Sequence, residues 1–260
     1  MSNILCVDIG NTNIVLAIMQ GESMLANVRI PSKPMLSDDE YHNAIQNLIS
    51  ASILETVDID GSIISSVVPR LSNPLQKACK GFFSKNNFVV DYTLPLELNI
   101  KYEDPSEVGA DRICNAVGAF KRFKAPLIVV DMGTATTFDL VSINYEYLGG
   151  VIMPGLETAG RDLFERAAKL PKVNFDFPKK IIGKNTAESM QSGLMWGTID
   201  QIDGLIERVK KEWKQNEVSV IATGGLSEII TPHSRYIQEA NKSLTLLGMV
   251  DIFEEIRSQA

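Results

Sequence analysis

A short pattern of polar and small residues occurs twice in the chain, each time directly after an apolar run. Asp8-Ile9-Gly10-Asn11-Thr12 follows residues 4–7, and Asp131-Met132-Gly133-Thr134-Ala135 follows residues 127–130. The apolar runs are typical of buried strands, and each pattern leads into another strand-like segment, 14–19 or 138–143. Glycine lets a backbone approach a ligand closely, Thr and Asn side chains with main-chain N–H groups can bind phosphate oxygens, and aspartate can hold a cation. The repeat therefore predicts two facing turns that grip a metal–nucleotide between two domains.

The predicted secondary structure also repeats. Each half of the chain has three consecutive strands, a helix, a strand and a helix, which is the order of a ribonuclease H-like fold. The sequence thus predicts an α/β protein with two tandem ribonuclease H-like domains, at 1–117 and 118–260, and an interdomain nucleotide cleft. Ser37 and Glu40 have the spacing of a capping box. Strands are predicted at 3–8, 14–19, 23–30, 61–67, 88–90, 127–131, 136–143, 147–152 and 218–222, and helices at 38–54, 73–83, 111–124, 155–168, 185–213 and 249–257.

Composition argues against several classes of function. The formal net charge of −7 disfavours non-specific binding to nucleic acid or to anionic membranes. No apolar run has the length of a membrane span, and the first residues enter a strand without a signal-peptide pattern. The three cysteines are far apart and form no C-x-x-C motif, so neither a disulfide framework nor a thiolate zinc site is expected. We therefore expect a cytoplasmic protein with no nucleic-acid or membrane partner.

A second group of residues, from Tyr102 to Arg112, precedes a predicted helix. Pro105 and Gly109 indicate an ordered turn, after which Asp111 and Arg112 occupy the first helical turn, where free N–H groups favour an anionic ligand. In that position the aspartate can accept a proton from a hydroxyl nucleophile, and the arginine can bind a carboxylate or a phosphate. The structural alternative makes Asp111 a helix cap and places Arg112 in a surface ion pair. Spacing alone leaves both readings open.

Two further turns contain glycine. Thr223-Gly224-Gly225-Leu226 follows the last predicted strand and either leaves room for an adenine ring or ribose or forms a simple tight turn. Gly183-Lys184-Asn185-Thr186 is similar to the end of a P-loop, but Pro178 stands where that motif needs its first glycine. Thr186 is therefore predicted to begin the long helix, either as its cap or as a hydroxyl that faces a ligand.

Several other residues are assigned structural roles. His42 and His233 are far apart in sequence and not next to the motifs, so they are assigned surface or structural roles. Cys114 is interpreted as buried packing rather than as a nucleophile. Asp200 and Asp203, on the long helix, are given no function. A stripe of apolar side chains at helical spacing on that helix indicates core or a dimer interface, and its members are Leu194, Met195, Ile199, Ile202 and Ile206.

In their order along the chain, these segments resemble those of the type III pantothenate kinases. The Asp-x-Gly-x-Thr turns alone are shared by the wider superfamily of acetate and sugar kinases, Hsp70 and actin, whereas Gly-Ala-Asp-Arg with its upstream tyrosine is more specific. The resemblance implies the actin-like ATPase fold. The matching residues are Asp8 to Asn13, Val68-Pro69, Tyr102, Gly109 to Arg112, Asp131 to Ala135, Gly149-Gly150, Pro154-Gly155, Asn185-Thr186, Thr223 to Gly225 and Leu244 to Gly248.

The resemblance implies ATP-dependent phosphorylation of the primary hydroxyl of pantothenate, the first committed step of coenzyme A biosynthesis. It makes Asp111 the general base and Asp131 the ligand of a monovalent cation, K⁺ or NH₄⁺, with Mg²⁺ or another divalent cation as a further cofactor. It also implies a homodimer with the substrate pocket near the subunit interface. The residues implied to hold ATP phosphates are Asp8, Ile9, Gly10, Asn11, Thr12, Asn13 and Thr134, and those implied to contact pantothenate are Tyr102, Gly109, Ala110, Arg112 and Thr186.

Two alternatives to this function stay open at the level of the sequence. One is a non-catalytic nucleotide-binding regulatory or accessory protein of the same fold, which would keep both phosphate turns without needing a hydroxyl-activating aspartate. The other is a kinase for another small hydroxylated acceptor.

Overall fold

The computed structural model describes residues 2–51 and 58–259. The strands of this part of the chain are β1 (Asn3–Ile9), β2 (Asn13–Gln20), β3 (Ser23–Pro31), β4 (Gly61–Ser66), β5 (Asn87–Val89), β6 (Asn99–Ile100), β7 (Leu127–Met132), β8 (Ala135–Val141), β9 (Glu146–Pro154), β10 (Ser219–Thr223) and β11 (Glu239–Ala240). Its α-helices are α1 (Asp38–Ala51), α2 (Pro69–Phe82), α3 (Ala110–Arg122), α4 (Leu156–Arg166), α5 (Thr186–Trp213), α6 (Ser227–Ile230) and α7 (Leu244–Gln259).

The chain packs as two compact units. The first contains Met1–Arg122, Asn144–Leu148 and Ser243–Ala260, and the second contains Phe123–Ile143 and Gly149–Lys242. The domain limits at 117 and 118 stay a prediction about the chain, but in this packing all of α3 belongs to the first unit. The closing helix α7 also belongs to the first unit, although it is the last element of the sequence.

A five-stranded mixed sheet organises the first unit, in the order β3-β2-β1-β4-β5. β1 is antiparallel to β2 and parallel to β4, so its carboxyl end, which carries Asp8, lies beside the carboxyl end of β4. Alternate residues of β1 and β2, among them Leu5 and Leu16, face the apolar side chains of α1 and α2 in one core. This alternation follows from the two-residue period of a strand and matches the pattern that predicted it.

Helices α3 and α7 pack closely together in the same unit. A side chain at Gly248 would place its first carbon 1.9 Å from the Cys114 carbonyl oxygen, and one at Gly118 would come within 2.9 Å of the Gly248 nitrogen. The two glycines therefore allow the backbones to touch, which explains why a helix tolerates glycine at both positions. The Asn115 side chain adds a polar contact, since its Oδ1 accepts a hydrogen bond from the Thr245 hydroxyl at 2.8 Å.

The second unit contains its own core. β7 pairs with β8 in antiparallel fashion and with β10 in parallel, while β11 pairs with the other edge of β10. The sheet order is β11-β10-β7-β8-β9, and β6 pairs with the first residues of β9, which are counted with the first unit. The apolar stripe of α5 is buried against this sheet, because Met195, Ile202 and Ile206 are fully covered within the chain itself. The stripe is core, and the interpretation of it as a dimer interface is wrong.

Most predicted elements are confirmed, and the differences have local causes. The helix predicted from residue 73 begins at Pro69 because proline suits the first helical position. The closing helix begins at Leu244 rather than at 249, since Gly248 lies inside it at the contact with α3. The predicted end of the first helix near Leu54 lies outside the described residues. Within the described residues, four elements were missed because each has only two to four residues, namely β6, β11, α6 and the 3-10 helix Thr231–His233.

The predicted capping box at the start of α1 is confirmed. The Ser37 amide donates to the Glu40 carboxylate at 2.8 Å, and the Glu40 amide donates to the Ser37 hydroxyl at 3.3 Å. These reciprocal bonds satisfy N–H groups that the first helical turn leaves without partners. Over the ranges 2–51 and 58–259, no helix is both long enough and apolar enough to span a membrane.

Candidate active site

The first phosphate-type turn joins β1 to β2 as predicted. It is closed by a hydrogen bond from the Gly10 amide to the Asn13 carbonyl at 2.9 Å, which leaves only 3.1 Å between that oxygen and a carbon added at Gly10. Ser32 fixes the turn from outside, because its hydroxyl donates to the Gly10 carbonyl at 2.7 Å and its amide to the Thr12 carbonyl at 2.9 Å. The side chains of Asn11 and Thr12 are exposed at the tip of the turn. Hydrogen bonds thus close the turn, and polar groups stand at its surface.

Asp8, at the end of β1, is placed in an unfavourable environment for a carboxylate. Burial, and after it the negative charge of Asp111, raise the pKa of Asp8 from its ordinary value of 3.8 to about 6. The Ser65 hydroxyl and the positive charge of Arg29 oppose this rise in the pKa. Two acidic groups from β1 and α3 therefore lie close enough to repel each other. Such crowding is typical of sites that bind a cation or transfer a proton.

The start of α3 positions Asp111. A short 3-10 turn, Pro105–Glu107, precedes the helix and is closed by the Asp104 carboxylate, which accepts from the Ser106 amide at 2.9 Å. The Gly109 carbonyl accepts from the Ile113 amide at 3.1 Å, so Gly109 is the residue that precedes the first helical position. The predicted ordered turn and the placement of Asp111 in the first helical turn are both confirmed.

The Asp111 carboxylate is held in a fixed orientation. Its Oδ1 accepts a hydrogen bond from the Arg112 amide at 2.8 Å, and a carbon added at Gly109 would lie only 2.7 Å from the same oxygen. Glycine at 109 therefore leaves the space that the carboxylate occupies. Burial raises the pKa of Asp111, while the Arg112 amide and guanidinium lower it.

Arg112 lies in the interior of the first unit, not at the surface as the structural alternative required. Its side chain is buried, with 6% of the residue exposed, and its guanidinium carbon lies 5.7 Å from the centre of the Tyr147 ring. The Tyr102 ring lies 6.1 Å from the Tyr147 ring at an angle of 56°. Two residues implied to contact the substrate, Tyr102 and Arg112, thus converge on Tyr147, which the sequence did not single out because a lone tyrosine in a strand has no distinguishing pattern.

A cavity of about 370 Å³ opens beside the start of α3. It lies at the carboxyl ends of the parallel strands β4 and β5, the edge at which open α/β sheets bind ligands. Gly109 and Ala110, both implied to contact pantothenate, form part of its wall. The other lining residues are Ser66, Val67, Val90, Asp91, Tyr92, Ser106, Glu107 and Val108.

The second phosphate-type turn belongs to the second unit and joins β7 to β8. The Thr134 carbonyl accepts from the Gly155 amide at 3.1 Å and from the Thr158 hydroxyl at 2.7 Å. A carbon added at Gly155 would lie 2.2 Å from the Gly133 carbonyl oxygen. The turn is therefore held by the backbone that leads into α4, and the strand–turn–strand prediction is confirmed.

The Gly-Gly turn after β10 packs directly on this second phosphate-type turn. Gly224 has a φ of +89°, a conformation that other residues rarely adopt. A carbon added there would lie 2.7 Å from Asp131 Oδ1 and 2.6 Å from the Met132 carbonyl oxygen. The turn then enters the short helix α6, and the Ser227 hydroxyl donates to the Gly224 carbonyl at 2.8 Å. Asp131 and the glycine turn thus form one local structure.

Thr186 is the first residue of α5 and its side chain is exposed. The helix cap is Asn185, whose side chain accepts from the Glu188 amide at 2.9 Å. The interpretation of Thr186 as the cap is therefore wrong, while a hydroxyl that faces a ligand stays a prediction.

The residues given structural roles pack as expected. His42 stacks on Phe82 with 4.3 Å between the ring centres, and the ring centres of His233 and Phe177 are 3.8 Å apart. Cys114 is fully buried, and burial raises the pKa of its thiol, which disfavours the reactive thiolate. Asp203 was given no function, yet its carboxylate is buried and accepts from the Ser234 hydroxyl at 2.6 Å and from the Arg235 amide at 3.0 Å.

Comparison with known proteins places these features in a family. The family model of the type III pantothenate kinases matches residues 4–208. A type III pantothenate kinase of Halalkalibacterium halodurans is 41% identical over 252 residues, which cover 97% of this chain and 99% of that protein. One of Pelobacter propionicus is 42% identical over 254 residues, covering 98% of this chain and 100% of that protein.

Two solved structures share the fold at low sequence identity. Component A of (R)-2-hydroxyglutaryl-CoA dehydratase from Acidaminococcus fermentans is 13% identical with a TM-score of 0.59, and the match covers 99% of both chains. MreB 5 of Spiroplasma citri, solved with AMPPNP, is 11% identical with a TM-score of 0.54, covering 100% of this chain and 98% of that one. These likenesses agree with an actin-like ATPase fold, and the matches in sequence over almost the whole length establish that the chain belongs to the type III pantothenate kinase family.

Proposed function

We propose that this protein transfers the γ-phosphoryl group of ATP to the primary hydroxyl of pantothenate, with Asp111 as the general base. The single observation that supports the role of Asp111 is its fixed carboxylate at the start of α3, which burial makes more basic than an ordinary aspartate. In the reaction the hydroxyl oxygen forms a bond to the γ-phosphorus, the bond from that phosphorus to the β–γ bridging oxygen breaks, and the hydroxyl proton goes to Asp111. The products are 4'-phosphopantothenate and ADP.

Around this base, the first unit offers groups for the acceptor. Arg112 can neutralise an anionic group because it is buried, so its charge is weakly screened by water. Gly109 and Ala110 line the adjacent cavity. The Tyr102 ring and the Arg112 guanidinium both lie next to the ring of Tyr147. Asp91 and Glu107 of the cavity wall repel a carboxylate. We therefore place the carboxylate of pantothenate on the side of Arg112. In the second unit, the exposed Thr186 hydroxyl at the start of α5 is proposed as a further substrate contact.

ATP phosphates are proposed to bind to residues 8–13 and to Thr134. Neither turn contains a lysine, so main-chain N–H groups and metal ions must offset the phosphate charge. A divalent cation such as Mg²⁺ supplies this compensation when bound with ATP, and the crowded carboxylate of Asp8 is suited to interact with it.

Asp131 is proposed as a ligand of the monovalent cation. Its Oδ1 and the Met132 carbonyl oxygen both approach Gly224, which gives a local set of oxygen atoms of the kind that hard cations prefer. No group of three or more His, Cys, Asp or Glu side chains that could hold a metal occurs in residues 2–51 and 58–259. The remaining ligands of such an ion would then be main-chain, phosphate or water oxygens.

Rates in K⁺ and Na⁺ buffers test this site after thorough desalting. We expect activity to rise sharply with K⁺ or NH₄⁺, and Asp131→Ala to lose that dependence without unfolding. Equal rates of the wild-type enzyme in the two buffers would contradict the proposal for Asp131 and leave the base unaffected.

The working unit is proposed to be a cytoplasmic homodimer. Support for the dimer comes from apolar side chains of the second unit that stand exposed, with Ile152 at 61%, Ile181 at 65% and Ile182 at 71%. Sedimentation velocity at assay concentration is the direct test, and Ile182→Glu should reduce the dimer fraction without lowering the melting temperature. A fully active monomer would refute the dimer. The net charge of −7 supports the absence of nucleic-acid and anionic-membrane partners.

ATP consumption with different acceptors tests the function. We expect turnover with pantothenate and none above background with glucose, acetate or no acceptor. Asp111→Asn should lower turnover by about 10²–10⁴-fold and leave ATP affinity unchanged, because only proton acceptance is lost. Glu103→Gln is the matched control, since it neutralises an exposed carboxylate of the same segment. Near-normal turnover of a folded Asp111→Asn protein would return Asp111 to a purely structural role.

A further inference from the structure

We propose that Tyr147 is a positioning residue of the acceptor site, which holds both Arg112 and Tyr102 in place for pantothenate. The proposal rests on the roles given above to those two residues. Tyr147 lies in β9, more than 30 positions from either of them in sequence, yet all three belong to the first compact unit. No motif marks it, and its role follows from three separate contacts.

The first contact is between the Tyr147 ring and Arg112. The guanidinium carbon lies 5.7 Å from the ring centre, within the range of a cation–π interaction. Both side chains are shielded from solvent, with Tyr147 at 0% exposure and Arg112 at 6%. Water therefore competes little for the guanidinium, and the ring restricts where that group can point.

The second contact is between the rings of Tyr147 and Tyr102. Their centres are 6.1 Å apart and tilted by 56°, a separation and tilt common for paired aromatic rings. Tyr102 is partly exposed, so its ring can reach a ligand, while the buried ring of Tyr147 packs behind it.

The third contact comes from the Tyr147 backbone. Its carbonyl oxygen accepts a hydrogen bond from the Lys101 amide at 2.8 Å, directly before Tyr102 in the chain. Tyr147 also pairs with Ile100 in the register of β6 and β9. One residue thus fixes the backbone that presents Tyr102, the ring of Tyr102 and the head group of Arg112.

Steady-state kinetics of Tyr147→Leu and Tyr147→Phe test the proposal. Leucine removes the ring, so the KM for pantothenate should rise by about 3–30-fold, the range expected for loss of a buried cation–π contact. The KM for ATP should stay within about twofold, because Tyr147 has no role in the nucleotide turns. Phenylalanine keeps the ring and should restore the KM for pantothenate to within about twofold of the wild type.

Phe253→Leu is the matched control for the loss of a buried aromatic side chain. Phe253 is also fully buried in the first unit, and its ring pairs with Phe88 at 5.3 Å. This variant should lower the melting temperature but leave the KM for pantothenate unchanged. A change in the KM for pantothenate of the same size in Phe253→Leu as in Tyr147→Leu would mean that Tyr147 acts only through stability, and would overturn the proposal.

A double-mutant cycle with Arg112→Lys tests whether Tyr147 acts through the guanidinium. Lysine lacks the planar group that lies over the ring, so the effect of Tyr147→Leu on the KM should shrink to less than about half its size in that background. Fully additive effects would contradict the mechanism. Should Tyr147→Leu fail to fold, Tyr147→Met keeps more side-chain volume without a ring and is read by the same criteria.

The outcomes separate this proposal from the proposed function. A wild-type protein that consumes no ATP with pantothenate would refute the function itself. An active wild type together with an unchanged KM in Tyr147→Leu would refute only the role of Tyr147. Calorimetric titration with pantothenate gives the same comparison without turnover, and a wild-type affinity in Tyr147→Leu would likewise overturn the proposal.

Discussion

Asp8→Asn should stabilise the ligand-free protein at neutral pH, although Asp8 belongs to the proposed ATP site. The reason is the environment at the end of β1, where burial and the charge of Asp111 raise the pKa of Asp8 from 3.8 to about 6. A carboxyl that is harder to ionise in the folded chain than in the unfolded chain lowers stability once it is ionised. The nearly isosteric asparagine removes this unfavourable ionisation.

The magnitude follows from the shift in the pKa. A rise of about 2 units corresponds to about 3 kcal/mol at 1.36 kcal/mol per unit. Because the Asp8 side chain retains some contact with solvent, we expect a gain of about 1–3 kcal/mol at pH 7.5. For a chain of this length that gain raises the melting temperature by about 2–6 °C.

The sign of the pH dependence is fixed by the same numbers. Below pH 3.8 the carboxyl is protonated in both the folded and the unfolded chain, so the native state loses nothing. The loss of stability develops as the pH rises and is complete above about pH 6. The advantage of Asp8→Asn should therefore be only about one third of its final size at pH 4.5 and reach its full size by pH 7.5.

Thermal unfolding of both proteins from pH 4.5 to 7.5, with EDTA and without nucleotide, measures this advantage. Asp200→Asn is the control, because it neutralises an exposed carboxylate of α5 and should change stability by less than about 0.5 kcal/mol. In a second measurement, Mg²⁺·ATP should stabilise the wild type and have a much weaker effect on Asp8→Asn. A variant that is less stable than the wild type, or equally shifted at both ends of the pH range, would refute the reasoning.

Four further outcomes are expected. Gly109→Ala should lower turnover at least about tenfold, because its added carbon would lie 2.7 Å from Asp111 Oδ1. Gly204→Ala, in α5, is the control because the space around it is open. It should leave turnover unchanged and add up to about 1 kcal/mol of stability. Ser37→Ala should cost about 1 kcal/mol in chemical denaturation without affecting turnover, since it removes the cap of α1. Ile202→Glu should unfold the protein, as seen by circular dichroism, rather than yield folded monomers, because it places a charge in the core of the second unit. The acid limb of the rate profile should lie above the ordinary range of an aspartate, because burial raises the pKa of Asp111 and turnover needs its ionised form; a limb near pH 4 would contradict this assignment.

The sequence by itself determined the features that depend on neighbouring residues. The bonds of the Ser37–Glu40 capping box, the bond from Gly10 to Asn13 that closes the first turn, and the bond from Ser227 to Gly224 all join residues only a few positions apart. Their geometry is set by local hydrogen bonds and by the two-residue period of strands, so a pattern of residue types is enough to specify them.

The tertiary structure alone decided which side chains meet over long distances in sequence. It packed α7 on α3, where Gly248 touches the backbone of Cys114, and so assigned the end of the chain to the first unit. It also buried Arg112 on the ring of Tyr147 and enclosed the apolar stripe of α5 in a core. Helical spacing shows that a face is apolar but not which residues cover it. The pKa of Asp8 depends on the nearby charge of Asp111, and only folding brings these two residues together.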